Sequence, residues 1–238
     1  MRNSTVSPVI AGAPFPSVEC STGGRVTRSL LGWGVAAGPF YVGVSLTEAL
    51  LRPGFDLARH SWSLMENGPL GWIHSAVLIL SGLMVVAAAI GIGQALRIRT
   101  VSVLLVVFGA GQVGAGMFIA DPADGFPVGT PAGPGEFSWH GILHLACGGA
   151  GFVAFSTATI MLGVRFLRRG GRAWGAFSIT TGVLFLAAFM GIASGGAGAT
   201  VIAFIAAVVL AFTWLALFCL YLYRPSSPGR CRTRSRCR

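Results

Sequence analysis

Charge is what this sequence has least of. Only 10% of its 238 residues are Asp, Glu, Lys or Arg. A soluble domain carries about 25%, so the deficit excludes an ordinary water-soluble domain. Lysine is missing altogether and every one of the 17 basic residues is arginine, which we ascribe to coding bias rather than function. Segments of alternating apolar and polar residues are absent too, which excludes a transmembrane β-barrel. The five cysteines, Cys20, Cys147, Cys219, Cys231 and Cys237, include no CxxC pair. Two fall in apolar runs and three in segments assigned below to the cytoplasm, where thiols stay reduced, so no disulfide framework is expected. The first 27 residues lack the compact basic, apolar and small-residue sections of a signal peptide.

What the chain does have is apolar length. Hydrophobic residues make up 54% of it, and its mean hydropathy is +0.75. Apolar runs cover residues 29–51, 72–96, 101–120, 139–164, 173–194 and 200–223. Each is near or above the ~20 residues that cross ~30 Å of hydrocarbon. Only a helix satisfies its backbone inside one such segment. The expected fold is therefore all-α: a polytopic bundle of six helices over 29–223, with a disordered N-terminal tail (1–28) and a basic C-terminal tail (224–238).

Arginine placement predicts orientation. Arg2, Arg25 and Arg28 precede the first span, and Arg97 and Arg99 lie between the second and third. Arg165, Arg168, Arg169 and Arg172 lie between the fourth and fifth, and Arg224, Arg230, Arg232, Arg234, Arg236 and Arg238 follow the sixth. Only Arg52 and Arg59 fall on the other side. The positive-inside rule then puts both tails in the cytoplasm and the chain in the cell membrane. A pI near 10.9 would point to nucleic acid in a soluble protein, but here orientation accounts for it and no nucleic-acid partner is expected. The expected partners are the bilayer and anionic lipids, with headgroups meeting Arg230, Arg232, Arg234 and Arg236 of the tail GRCRTRSRCR.

The acidic residues do the reverse. Glu48, Asp56, Glu66, Asp121, Asp124 and Glu136 all lie at or beyond the outer face, as do His60, His74, His140 and His144. His140 and His144 stand at i and i+4 at the start of the fourth span, about 6 Å apart along the axis on one helical face. With Asp121 and Asp124 they make a candidate metal set, and zinc is the cofactor that His and carboxylate donors suit. Glu48, His74 and Glu66 are candidate ligand-binding groups at a similar depth. The plainer alternative is that these residues cap helix ends and hydrogen-bond across the bundle. HxxxH lacks the Glu of the HExxH metalloprotease motif.

Other features weigh less. Gly109-Ala-Gly111-Gln-Val-Gly114 fits GxGxxG, but it lies mid-helix with no strand before it, so the glycines read as helix-packing positions rather than a dinucleotide loop. Whether such faces pack within one chain or form a homo-oligomer stays open. The stretch HSWSLMENGPLGW between the first two spans suits an amphipathic segment lying on the interface, and the proline-rich 122–138 connection reads as a constrained loop. No acidic or basic residue occupies the middle of a span, where Gln112 is the only strongly polar side chain. That lowers the case for an ion-coupled transporter, and no internal repeat points to one.

Three motifs carry a family resemblance: LLRPGFDLARHSWSLMENGPLGWIH at 50–74, DPADGFP at 121–127 and SWHGILH at 138–144. Together they resemble the domain of unknown function 998 family of bacterial and archaeal six-helix membrane proteins. The resemblance covers residues 29 to 223. It implies six helices and brings Asp121, His140 and His144 forward as family-typical positions, without implying a reaction. From the sequence, the leading reading is a multi-pass membrane protein of unassigned activity whose outer Asp/His cluster binds a ligand or stabilises the bundle. A membrane-embedded zinc hydrolase and a small-solute permease are the alternatives.

Overall fold

The computed structural model describes residues 22–195 and 198–223. Six helices carry the chain: α1 (Thr22–Leu51), α2 (Gly71–Leu96), α3 (Arg99–Met117), α4 (Trp139–Arg168), α5 (Arg172–Ala193) and α6 (Ala199–Tyr223). All six are long and apolar enough to cross a membrane, and no strand occurs among the described residues. The protein is an all-helical, multi-pass membrane protein.

Each helix packs on its neighbours in sequence and α6 closes against α1, giving a ring in chain order. Because sequential neighbours run antiparallel through their connections, the connections segregate. One end, the loop end, carries 52–70, 118–138 and the turn after α5. The opposite end carries the short links 97–98 and 169–171. This arginine end gathers Arg25, Arg28, Arg97, Arg99, Arg165, Arg168, Arg169 and Arg172.

Glycines set the closest helix crossings. A methyl group added at Gly109 would lie 2.6 Å from the Gly82 carbonyl oxygen, and one at Gly82 would lie 2.6 Å from that of Gly109. On the other side of α3, a methyl at Gly111 would come 2.5 Å from the Cys147 carbonyl oxygen of α4. The glycines of GAGQVG thus bring α3 against both of its neighbours, the close approach that small residues permit in a bilayer.

The centre toward the arginine end is filled by rings. Phe155 meets Phe185 at 5.2 Å and Trp214 at 5.6 Å, Trp214 stacks on Phe218 at 5.0 Å, and all four are fully buried. Such edge and offset contacts add to the stabilisation from burial alone. Trp214 Nε1 donates to Ser178 Oγ at 2.9 Å, so the indole leaves no donor orphaned.

Two local outcomes differ from the sequence reading. Part of the HSWSLMENGPLGW stretch turns inward rather than lying on the interface: Trp62–Glu66 forms a 3-10 turn with Trp62, Leu64, Met65 and Glu66 buried. Glu66 Oε2, the Asn67 amide and the carbonyls of Met65, Asn67 and Leu70 find partners inside the bundle, as described below, and an interfacial helix could not have supplied them. Helix α3 stops at Met117 instead of continuing to residue 120, because the carbonyls of Ala115 and Phe118 and the Ala120 N–H are taken by His144 and Glu66.

Candidate functional site

Arg52 organises the loop end. Its guanidinium donates to the carbonyls of Met65 at 2.8 Å, Asn67 at 2.9 Å and Leu70 at 2.6 Å, and it meets Glu48 Oε1 at 3.4 Å. Five fixed donors on one planar group suit this work better than a lysine could. The turn is held from its other side by Asn67, whose amide donates to the carbonyls of Leu64 and Ala120 at 3.2 and 3.0 Å. Arg59 and His60 then staple the two long connections together. His60 Nδ1 accepts the Asp56 N–H at 2.9 Å, so Nε2 carries the proton and donates to the Asp124 carbonyl at 3.1 Å, where Arg59 also donates at 3.3 Å.

This scaffold brings two carboxylates to two imidazoles. Glu48 Oε2 of α1 lies 2.9 Å from His74 Nδ1 of α2. Glu66 Oε2, from the inward turn, lies 3.1 Å from His144 Nδ1 of α4 and also accepts the Ala120 N–H at 3.0 Å. All four side chains are buried. His144 Nδ1 has two further oxygens at 2.9 Å, the carbonyls of Ala115 and Phe118. Oxygens that only accept surround each Nδ1, so the proton sits there, and a neutral ring presents the Nε2 lone pair.

The imidazoles face a cavity of about 290 Å³ in the loop-end half of the ring. All six helices and the inward turn contribute to its wall, which is mostly aromatic and aliphatic: Phe152, Phe185, Phe204 and Phe212 are typical. Around it, three buried polar atoms have no hydrogen-bond partner: His74 Nε2, Gln112 Oε1 and Trp62 Nε1. Tyr41, stacked on Phe212 at 4.6 Å, also lines it. An apolar chamber with a few convergent polar groups is the usual form of a small-molecule site.

The residues singled out from sequence separate into two groups. Glu48, His74, Glu66 and His144 come together as the two pairs. His140 is exposed in the first turn of α4, its ring centroid 3.5 Å from that of Trp139. Asp121 accepts from Ser138 N at 2.8 Å and from the Ser138 hydroxyl, while Ser138 Oγ accepts the Gly141 N–H at 3.1 Å. Asp121 is thereby part of the N-terminal cap of α4. A Cβ at Gly141 would overlap the Asp121 carboxylate, so a side chain there would push that carboxylate out of the cap. Asp124 has a left-handed backbone (φ 54°) and contributes its carbonyl to the loop staple. Among the described residues no three His, Cys, Asp or Glu side chains are grouped to hold a metal ion. Arg230, Arg232, Arg234 and Arg236 lie outside the described residues.

Sequence reasoning missed Tyr41 and Trp62, and it noted Gln112 without assigning it a site. The available signal was spacing: Tyr41, Ser45 and Glu48 stand at i, i+4 and i+7 on α1, and Phe108, Gln112 and Ala115 do so on α3. No curated protein and no solved structure matches the chain. The model of one family, described as a protein of unknown function (DUF998), matches residues 35–222. That interval contains the whole site described above, and the chain belongs to the DUF998 family.

Proposed function

We propose that this membrane protein binds an amphiphilic ligand in the loop-end cavity, its polar group on His74, His144 and Gln112 and its apolar body against the aromatic wall. Its orientation, from the arginine bias, puts the arginine end in the cytoplasm and the cavity in the outer half of the cell membrane. The carrying observation is the set of unpartnered buried atoms around one chamber, His74 Nε2, Gln112 Oε1 and Trp62 Nε1. Each buried polar group without a partner costs about 1–3 kcal/mol, which a ligand offering matching donors and acceptors would recover. The aromatic layer beneath the chamber favours binding over conduction and counts against a permease.

The test is extraction of detergent-purified protein and mass spectrometry of what is released. The wild type should carry one amphiphile class near stoichiometry, and Gln112→Leu combined with His74→Phe should lose most of it. A wild-type protein that releases only the lipid mixture of its surroundings contradicts the reading.

A second reading rests on the two Glu–His pairs. An imidazole whose Nδ1–H is held by a carboxylate is a general base at Nε2. Two of them on one chamber suit hydrolysis of an amphiphilic ester: one imidazole enters neutral and takes the proton of the attacking water at Nε2, and the other enters as imidazolium and gives its Nε2 proton to the leaving oxygen. With His140 exposed outside the chamber lining and Asp121 in a cap, this reading draws on the imidazoles of His74 and His144 rather than on the His140–His144 zinc set expected from sequence. Turnover that disappears in His144→Asn while ligand binding persists would support it. Unchanged turnover in that variant would remove it.

A further inference from the structure

The cavity wall is uneven where α4 meets α5. Toward the arginine end these helices touch backbone to backbone: a methyl at Gly163 would lie 2.8 Å from the Gly175 carbonyl oxygen, and one at Gly182 would lie 2.9 Å from that of Ser156. Toward the loop end that contact is lost. A methyl at Gly149 would meet nothing closer than the tip of the Phe189 ring, at 3.2 Å, and one at Gly148 would meet nothing within 4 Å. The helices therefore diverge, and the Phe189 ring, edge-on to Phe152 at 5.1 Å, stands in the gap. Leu145, Gly148, Gly149 and Phe189 all line the cavity. Leu145 is 54% exposed and the other three are half-buried, so the chamber reaches the outward surface of two membrane-spanning helices. Gly148 lies nine residues into α4, about 13 Å along the helix axis, a depth that faces hydrocarbon rather than water.

The polar end of the chamber limits what can arrive by this route. When neutral, His74 and His144 offer lone pairs at Nε2, Gln112 offers Oε1, and Trp62 offers an N–H. The carboxylate of Glu48 is offset by Arg52, while Glu66 has no cationic side chain beside it apart from His144 when protonated. Such a lining favours groups that donate and accept without net negative charge, which is what hydroxyls do.

We propose that the ligand is a neutral, hydroxyl-bearing bilayer lipid that enters sideways between α4 and α5 past Phe189, its headgroup coming to rest on His74, Gln112 and His144. This deepens the binding reading above and rests on it. The hydrocarbon chain lies against Phe152, Phe185 and Phe204 and trails through the gap into the membrane.

The test uses the full chain in phosphatidylcholine nanodiscs and a monoacylglycerol carrying a diazirine in its acyl chain, with photo-capture followed over time. Gly148→Trp narrows the opening at a position with open space. Gly32→Trp, on α1 and likewise without a neighbour within 4 Å, controls for the added bulk. We expect Gly148→Trp to slow capture about tenfold and Phe189→Ala to speed it severalfold, with Gly32→Trp at the wild-type rate. Equal rates in all four proteins, with capture intact, overturn lateral entry and leave the binding reading standing. No capture in the wild type above a diazirine-bearing alkane of the same length overturns the neutral-lipid ligand itself.

Discussion

The two halves of this bundle are built from similar residues and finished differently. In the arginine half, aromatic rings meet one another and polar side chains close their hydrogen bonds locally. Trp214 pairs with Ser178, Thr159 with the Phe155 and Ser156 carbonyls, and Thr181 with the Phe177 carbonyl. Ser156 Oγ and Arg28 Nε are the exceptions among the described residues. In the loop half, rings of the same kind line an open chamber, and polar atoms of His74, Gln112 and Trp62 are buried without partners. Lipid supplies no hydrogen bonds to relieve such atoms. That contrast, with such atoms left unpaired around the chamber and nearly all of them paired in the other half, is what supports the proposed binding.

Mutations that respect this division should have opposite consequences. The largest effect is expected from filling the close-packed crossing. Gly109→Leu drives a side chain into the Gly82 backbone and should destabilise the bundle by about 3 kcal/mol or prevent assembly, read as loss of the folded fraction in detergent titration. Gly148→Ala, in open space, should stay within about 0.5 kcal/mol of wild type by the same assay. If the two substitutions were equally tolerated, the halves would not differ as described.

Next in size is the buried pairing that holds His144. Glu66→Ala removes the acceptor of the buried Ala120 N–H and of His144, and should cost about 2 kcal/mol. Because His144 keeps its two carbonyl acceptors, the protein should still fold, with a lowered midpoint in thermal melting. Asp121→Ala should cost less, about 1 kcal/mol, since it loosens a helix cap rather than a buried pair. Its effect should appear as faster hydrogen exchange confined to the first turn of α4.

The smallest effect on stability is the most informative. Gln112→Leu removes an unpaired buried carbonyl, so the ligand-free protein should be unchanged or about 1 kcal/mol more stable, while ligand retention falls. A destabilised Gln112→Leu protein would mean that Gln112 already has a partner.

Much of the fold was legible because lipid imposes simple rules. Each span needed an apolar run of sufficient length, and the glycines of GAGQVG could be read as packing positions because nothing around them suited a phosphate. The site was less legible, and for definite reasons. His140 and His144 share a helical face, which suggested one ligand, but a single turn at the membrane boundary separates an exposed ring from a buried one. Glu66 lay in a stretch whose Trp and Leu residues suggested an interfacial helix. Only the fold of the 52–71 connection, clamped by Arg52, turns that carboxylate inward toward a histidine 78 positions later in the chain. Arg52 itself looked like a stray cation on the wrong side, and it is instead the clamp. Contacts of this separation leave no local pattern to read.

The most direct test is an experimental density map of the detergent-purified wild-type chain at a resolution that shows side chains. Binding of an amphiphile predicts continuous elongated density in the chamber, with its polar end within hydrogen-bond distance of His74 Nε2 and Gln112 Oε1 and its tail directed toward Phe189. Isolated waters bridging those two atoms, with the rest of the chamber empty, would contradict it.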